Sequence, residues 1–118
     1  MNVNYSITEH NGVQVLSINS LLDEWQNRQI LKELQYKIDR GNNEFVMDLA
    51  PLNLVNSIGL NFLLALSSKT KKQGGALVLT NVSKRIQRIL DITKLSAIFT
   101  ICPSVEKAVN NLSLQLVA

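Results

Sequence analysis

The sequence predicts an α/β fold: a mixed β-sheet that opens with an antiparallel hairpin, continues in parallel strands, and is covered by about four α-helices. Three observations predict it. Two short β-branched runs at the head, "VNYSITE" and "VQVLSIN", are separated by His10-Asn11-Gly12, a hairpin turn signal. Further along, strand-length runs "EFVMDL", "ALVLT" and "IFTIC" alternate with segments whose apolar residues recur at helical spacing. The run "ALVLT" is almost continuously apolar, the pattern of a strand covered on both faces of a parallel sheet. The order is therefore β-β-α-β-α-β-α-β-α, with the parallel strands joined by right-handed crossovers.

Each element has its own justification. In "DEWQNRQILKELQYKIDRGNN", Ile30, Leu31, Leu34 and Ile38 share one helical face. Arg28, Lys32, Glu33, Lys37 and Asp39 take the other face, and Gly41 terminates the helix. "EFVMDL" is a strand, and Pro51 in "APLNLV" marks the loop that leaves it. From Ser57 the spacing of Leu60, Leu63, Leu64, Ser67 and Ser68 is helical. A basic last turn, Lys69, Lys71 and Lys72, complements the helix dipole, and Gly74-Gly75 closes the segment. "VSKRIQRILDIT" predicts a third helix capped by Ser83, with Ile86, Ile89 and Leu90 on one face. Pro103-Ser104 breaks and caps, "VEKAVNNL" is the last helix, and the final "SLQLVA" alternates like a strand.

A chain of 118 residues is expected to form a single domain over 1–118, long enough to bury one core. Its 46% hydrophobic and 18% charged residues are a globular balance, and 5% aromatics make that core aliphatic. So few aromatics also argue against a base-stacking surface. Lys69, Lys71, Lys72, Lys84, Arg85, Arg88 and Lys94 crowd one third of the sequence. Without interleaved aromatics they read as solvated helix ends, and no nucleic acid is expected. The single Cys102 has no partner for an internal disulfide, and "MNVNYSITEH" has neither a charged n-region nor an apolar h-region. The longest apolar stretch, Ile58 to Leu66, is interrupted by Gly59 and Asn61 and falls short of the ~20 residues that span a bilayer. A cytoplasmic protein without membrane insertion is the expectation.

Catalytic chemistry has little to work with. There is one His and one Cys, no clustered zinc ligands, no Walker A loop and no G-x-G-x-x-G, so neither an enzyme nor a bound cofactor or metal is expected. His10, in a turn, reads as solvent-facing. Asp48, alone at a strand end, reads as structural support that accepts hydrogen bonds from the loop leading to Ser57. At Asn56-Ser57 a helix begins, and Asn and Ser are both preferred caps, worth ~1 kcal/mol. One of the two is the cap, and Gly59 permits close backbone approach.

The strand end Asp48-Leu49, the loop, the run Asn56-Ser57-Ile58-Gly59-Leu60 and the aliphatic helix closed by Gly74-Gly75 resemble the STAS family of anti-sigma factor antagonists. That family carries a D-L-S type strand end followed by D-S-S/T-G-L. The likeness extends to the hairpin, to "LLDEW" where the family has an E-L-D type turn, and to "SKRIQRILDITKLSAIF". It implies a protein–protein switch. Ser57 stands at the serine that, in the family, is phosphorylated by a kinase that is also the anti-sigma factor, of histidine-kinase-type ATPase fold. The unphosphorylated antagonist binds that kinase and frees the sigma factor; the phosphorylated form lets go, and a metal-dependent serine phosphatase restores binding. Asn56 replaces the family's Asp, and Ile58 replaces its Ser or Thr.

The expected partner-binding surface joins the loop Leu52–Asn56, the helix start Ile58–Asn61 and the loop Leu21–Trp25. Its contacts are Leu22, Asp23, Trp25, Leu54, Asn56, Ser57, Ile58, Gly59 and Asn61. Trp25 fits an interface anchor and a core-packing residue equally well. Two other functions fit the sequence: an unphosphorylated STAS subunit of a lipid-transport ABC complex or of a stress-signalling scaffold, and a small nucleotide- or phosphate-binding domain using the N-terminus of the second helix.

Overall fold

Asn11 and Gly12 reverse the chain in two residues, both at positive φ (52° and 82°), as a type I′ hairpin turn requires. They pair strand β1 (Tyr5–His10) antiparallel with β2 (Val13–Ile18), Tyr5 opposite Ile18. The computed structural model describes residues 4–117, and the side chains of residues 4–114. Val3, at the head of the first predicted strand, and Ala118, the last residue of "SLQLVA", lie outside them.

Strands β3 (Glu44–Asp48), β4 (Ala76–Thr80) and β5 (Thr100–Cys102) follow, all parallel to β2, in the sheet order β1-β2-β3-β4-β5. Helices α1 (Glu24–Asp39), α2 (Ser57–Lys72) and α3 (Lys84–Ile92) make the crossovers, and α4 (Val105–Val117) follows β5. Each new strand is laid on the same side of the last, so right-handed crossovers put all three connecting helices on one face. Leu16, Ile18, Phe45, Met47, Leu77 and Leu79 point to that face, against Ile30, Leu34, Phe62, Leu66, Ile86 and Leu90. The alternate residues Val13, Val15, Val46 and Val78 point the other way, under Ala108, Val109 and Leu112 of α4. Both faces of β2, β3 and β4 are buried, as the apolar run "ALVLT" requires, while β5 at the edge exposes Thr100 and Ile101.

Glycine sets two helix ends. After α1, Gly41 takes φ 95°, its N–H bonds Ile38 O at 3.0 Å and Asn42 N bonds Lys37 O at 3.0 Å. After α2, Gly74 takes φ 78°, bonds Lys71 O at 3.0 Å, and Gly75 N bonds Thr70 O at 2.8 Å. Both are Schellman ends, which satisfy the last carbonyls of the helix. Gly75 has a second duty. A Cβ there would sit 2.1 Å from Asn43 O, because Ala76 N bonds that carbonyl at 3.1 Å where β3 and β4 come together.

Small departures from the sequence expectation are that His10 ends β1 opposite Val13 and is not in the turn, that Leu49 falls just past β3, and that Glu24 and Trp25 open α1 and do not belong to the loop; two larger ones follow. Ile98 and Phe99 are not part of β5. A 3-10 turn (Leu95–Ala97) precedes the strand, and the N–H groups of Ile98 and Phe99 both bond Leu95 O, at 2.9 and 3.3 Å. Those donors are spent before the sheet begins, and Phe99 is buried in the helix-side core instead. The alternating "SLQLVA" is helical through Val117, continuing α4. Extending an existing helix adds one hydrogen bond per residue without a new nucleus, and Leu and Gln are good helix formers.

Two outcomes follow from these contacts. Gly75→Ala should lower stability by about 2–3 kcal/mol in urea unfolding, since the clash is with backbone. Glu44, half-buried at the start of β3, has its carboxyl raised above the ordinary carboxylate range by burial, and its Oε2 has no hydrogen-bond partner among the described residues. A raised folded-state value means that the charged form is penalised by folding, so stability falls as pH rises through the shifted range. Glu44→Gln should therefore raise Tm at pH 7 and lose that advantage near pH 4.

Candidate functional site

The segment leaving β3 is pinned from inside. Leu49, Leu52 and Val55 are buried in the helix-side core, Leu49 N bonds Thr80 O at 3.0 Å, and Leu52 N bonds Leu49 O at 2.9 Å. Pro51, Asn53 and Leu54 are left on the outside. Asp48 holds the base of the loop: its Oδ1 accepts from Ala50 N at 3.0 Å and from Asn81 Nδ2 at 2.9 Å. Asn81 stands at φ 54°, a left-handed conformation that Asn tolerates better than most residues. The exits of β3 and β4 are thereby tied together.

Asn56 is the cap of α2. In extended conformation (φ −107°, ψ −172°), its Oδ1 accepts from Gly59 N at 3.0 Å, and its carbonyl accepts from Leu60 N at 2.9 Å. Ser57 is the first residue of the helix, exposed, and its hydroxyl makes no hydrogen bond within the described residues. The first turn contains no acidic side chain. The positive end of the helix dipole therefore faces an open serine with no carboxylate beside it.

The start of α1 lies against this end. Asp23 caps α1 by accepting from Gln26 N at 3.0 Å, and buried Asn27 donates Nδ2 to Leu21 O at 2.9 Å. Gly59 is what brings the two helix starts together. A Cβ there would lie 3.0 Å from Val55 Cγ1 and 3.1 Å from Leu21 Cβ, so almost any side chain would push the β2–α1 loop away. Gly59 is itself buried and serves packing, whereas Asp23, Asn56, Ser57 and Asn61 are exposed and Ile58 is half-buried. Leu22 is 43% exposed, Trp25 67% and Leu54 46%, so Trp25 does not pack in the core. A floor of buried aliphatic residues thus presents exposed apolar side chains around a polar helix start, a pattern found at protein-binding surfaces.

Two supporting residues escape the sequence reading. Asn27 is readable in retrospect, because it falls on the buried stripe of α1 with Ile30, Leu34 and Ile38. Asn81 gives no such signal, since only the fold brings it to Asp48. The basic cluster is divided. Lys69 Nζ donates to Gln35 Oε1 at 2.9 Å, Lys71 approaches Ile98 O, and Lys72, Lys84, Arg85, Arg88 and Lys94 are exposed. Exposed His10 shares a hydrogen bond with Thr8 Oγ1 at 3.1 Å. Among the described residues no three His, Cys, Asp or Glu side chains cluster closely enough to hold a metal ion, and no helix is long and apolar enough to cross a membrane.

Comparison with known proteins gives a consistent picture. The family model for the STAS domain matches residues 4–108. The anti-sigma-B factor antagonist of Bacillus subtilis (strain 168) is 30% identical over 110 residues, covering 92% of this chain and 99% of that protein. Among solved structures, a serine-to-glutamate variant of RsbS from Moorella thermoacetica superimposes with a TM-score of 0.84 at 19% identity, over 98% of this chain and 100% of that one. The Bacillus cell fate determinant SpoIIAA, solved in its phosphorylated form, gives 0.72 at 16% identity, over 91% of this chain and 97% of that one. The two structures share this fold.

Since Asn56 and not Ser57 holds the helix end, Asn56→Ala should cost about 1 kcal/mol and Asn56→Asp only a few tenths. Ser57→Ala should stay within about 0.5 kcal/mol of the parent. Urea unfolding of the three variants measures this, and equal losses in Asn56→Ala and Ser57→Ala would assign part of the cap to the serine.

Proposed function

The chain belongs to the STAS domain family, and from that premise we propose that it is a cytoplasmic anti-sigma factor antagonist, a binding protein rather than an enzyme, switched at Ser57. Its partner in this reading is an anti-sigma serine kinase of histidine-kinase-type ATPase fold, which it binds while Ser57 is unmodified and loses once Ser57 is phosphorylated. A metal-dependent serine phosphatase resets it. The observation that carries the reading is the division of labour at the start of α2: Asn56 caps, leaving Ser57 exposed and unbonded. The relation to an anti-sigma-B factor antagonist supports the partner class. That SpoIIAA, of the same fold, is found phosphorylated supports the compatibility of the fold with a phosphate.

The physics of the switch follows from position. A phosphate brings about −1.5 to −2 charges and three strong acceptor oxygens. At the N-terminus of α2 it meets the positive end of the dipole and unpaired N–H groups, so it is tolerated within the protein. Asn56, in place of the family's aspartate, removes the adjacent carboxylate that would repel it. Across an interface the same charge must be desolvated against Leu22, Trp25 and Leu54, and that penalty falls on the complex alone. The domain persists while the binding is lost.

Incubation with ATP and the cognate kinase, followed by mass spectrometry, should place the modification on Ser57; a modified chain unmarked there would refute the switch. Ser57→Ala should still bind the kinase, and Ser57→Glu should bind it at least about thirtyfold more weakly, from the ~2–5 kcal/mol of an uncompensated buried charge. Recovery of an ABC ATPase that binds parent and Ser57→Glu alike would instead indicate a constitutive subunit.

A further inference from the structure

A groove of about 280 Å³ runs between α1 and α2, beginning beside the Ser57 end of the molecule. Leu31, Ile58, Phe62 and Ala65 give it apolar walls. Asn27 lines it as well, 4% exposed. One half of that amide is committed, since Nδ2 donates to Leu21 O. This bond also fixes the orientation of the group, because reversing it would set two carbonyl oxygens against each other. The other half is left over: Oδ1 is buried and accepts no hydrogen bond among the described residues. A buried acceptor without a donor is costly and uncommon, and here it belongs to a residue that lines an open groove.

We infer that this groove receives one aromatic side chain of the partner, whose O–H or N–H donates to Asn27 Oδ1. The inference rests on the reading of the Ser57 end as a partner-binding surface, with which the groove is continuous through Ile58 and Asn61. Size selects a side chain: the volume lies just below the ~300–1,000 Å³ of small-molecule sites, too little for a nucleotide. The walls call for an apolar body and Oδ1 calls for a donor. At the rim, Glu24 and Arg28 pair with each other at 3.4 Å, so their charges offset and neither sign is favoured. A cationic tip would lose its hydration for a single neutral carbonyl, a poor exchange. Tyrosine and tryptophan meet all three demands, and both are enriched among the residues that dominate interfaces.

The test uses the full chain with 4-methylphenol, 3-methylindole and toluene as probes, read by amide chemical shifts. The phenol and the indole should shift the Asn27 side-chain amide and the backbone amides of Ile58, Phe62 and Ala65, and should bind about fivefold tighter than toluene, which has no donor. Equal binding of toluene, or shifts elsewhere only, would overturn the assignment. Ala65→Met, which fills the groove, should abolish these shifts and weaken binding of the cognate kinase about tenfold, whereas Ser68→Met, at an exposed position of α2 outside the groove, should do neither; circular dichroism checks that both remain folded. Kinase binding that survives Ala65→Met undiminished also defeats the inference. The probe titration needs no kinase, and the Ser57→Glu comparison needs no groove, so failure of this inference and failure of the proposed function are distinguishable.

Discussion

Each strand from β2 to β5 is laid on the same side of the one before it, and right-handed connections then leave one place for α1, α2 and α3. They lie on one face, and each begins where its strand ends. Three helix starts, capped by Asp23, Asn56 and Ser83, are therefore gathered at one end of the sheet, each with its unpaired N–H groups turned the same way. The opposite face is left bare by this rule, and α4, which follows β5, covers it. The site at Ser57 is a consequence of this constraint: without it the β2–α1 loop would not lie beside the start of α2.

The gathered loops are held from below. Leu21 lies under the first loop, Leu49, Leu52 and Val55 under the second, and all are buried. Gly59 lets the two loops meet, and Asp48 with Asn81 ties the second to the end of β4. A surface so supported is preorganised, and ordering it on binding costs little. Exposed Leu22, Trp25 and Leu54 then offer apolar contact area on a rigid base. Control of such a surface needs only a change of charge, and no rearrangement of the chain.

Features written in local chemistry were legible in the sequence. Asn11-Gly12 announced the hairpin, and Gly41 and Gly74-Gly75 marked helix ends that the structure closes as Schellman motifs. Ser83 and Ser104 accept from Ile86 N and Lys107 N, as capping residues should. What was hidden depends on partners distant in sequence. Trp25 had no local feature to decide between core and surface. The strand expected from Ile98 begins at Thr100, because Leu95 O captures two N–H groups first. The alternation of "SLQLVA" suggested a strand, but a helix already formed from Val105 carries it along. At Asn56-Ser57 either residue could cap by composition; only the bond from Gly59 N to Asn56 Oδ1 decides between them.

That decision reaches beyond the helix end. Ser57 supports nothing, so a charge added there breaks no native contact and, at the positive end of α2, does not raise the frequency with which the chain opens. Under the proposed switch, proteases that act on opened chains would then clear the marked form no faster than the unmarked one. Turnover would not erase a mark selectively. On the proposed function, the duration of a past signal would be set by the enzyme that removes the phosphate, and by dilution through growth. A side chain without a structural task is, in this sense, a place where a cell can keep a record without shortening the life of the page.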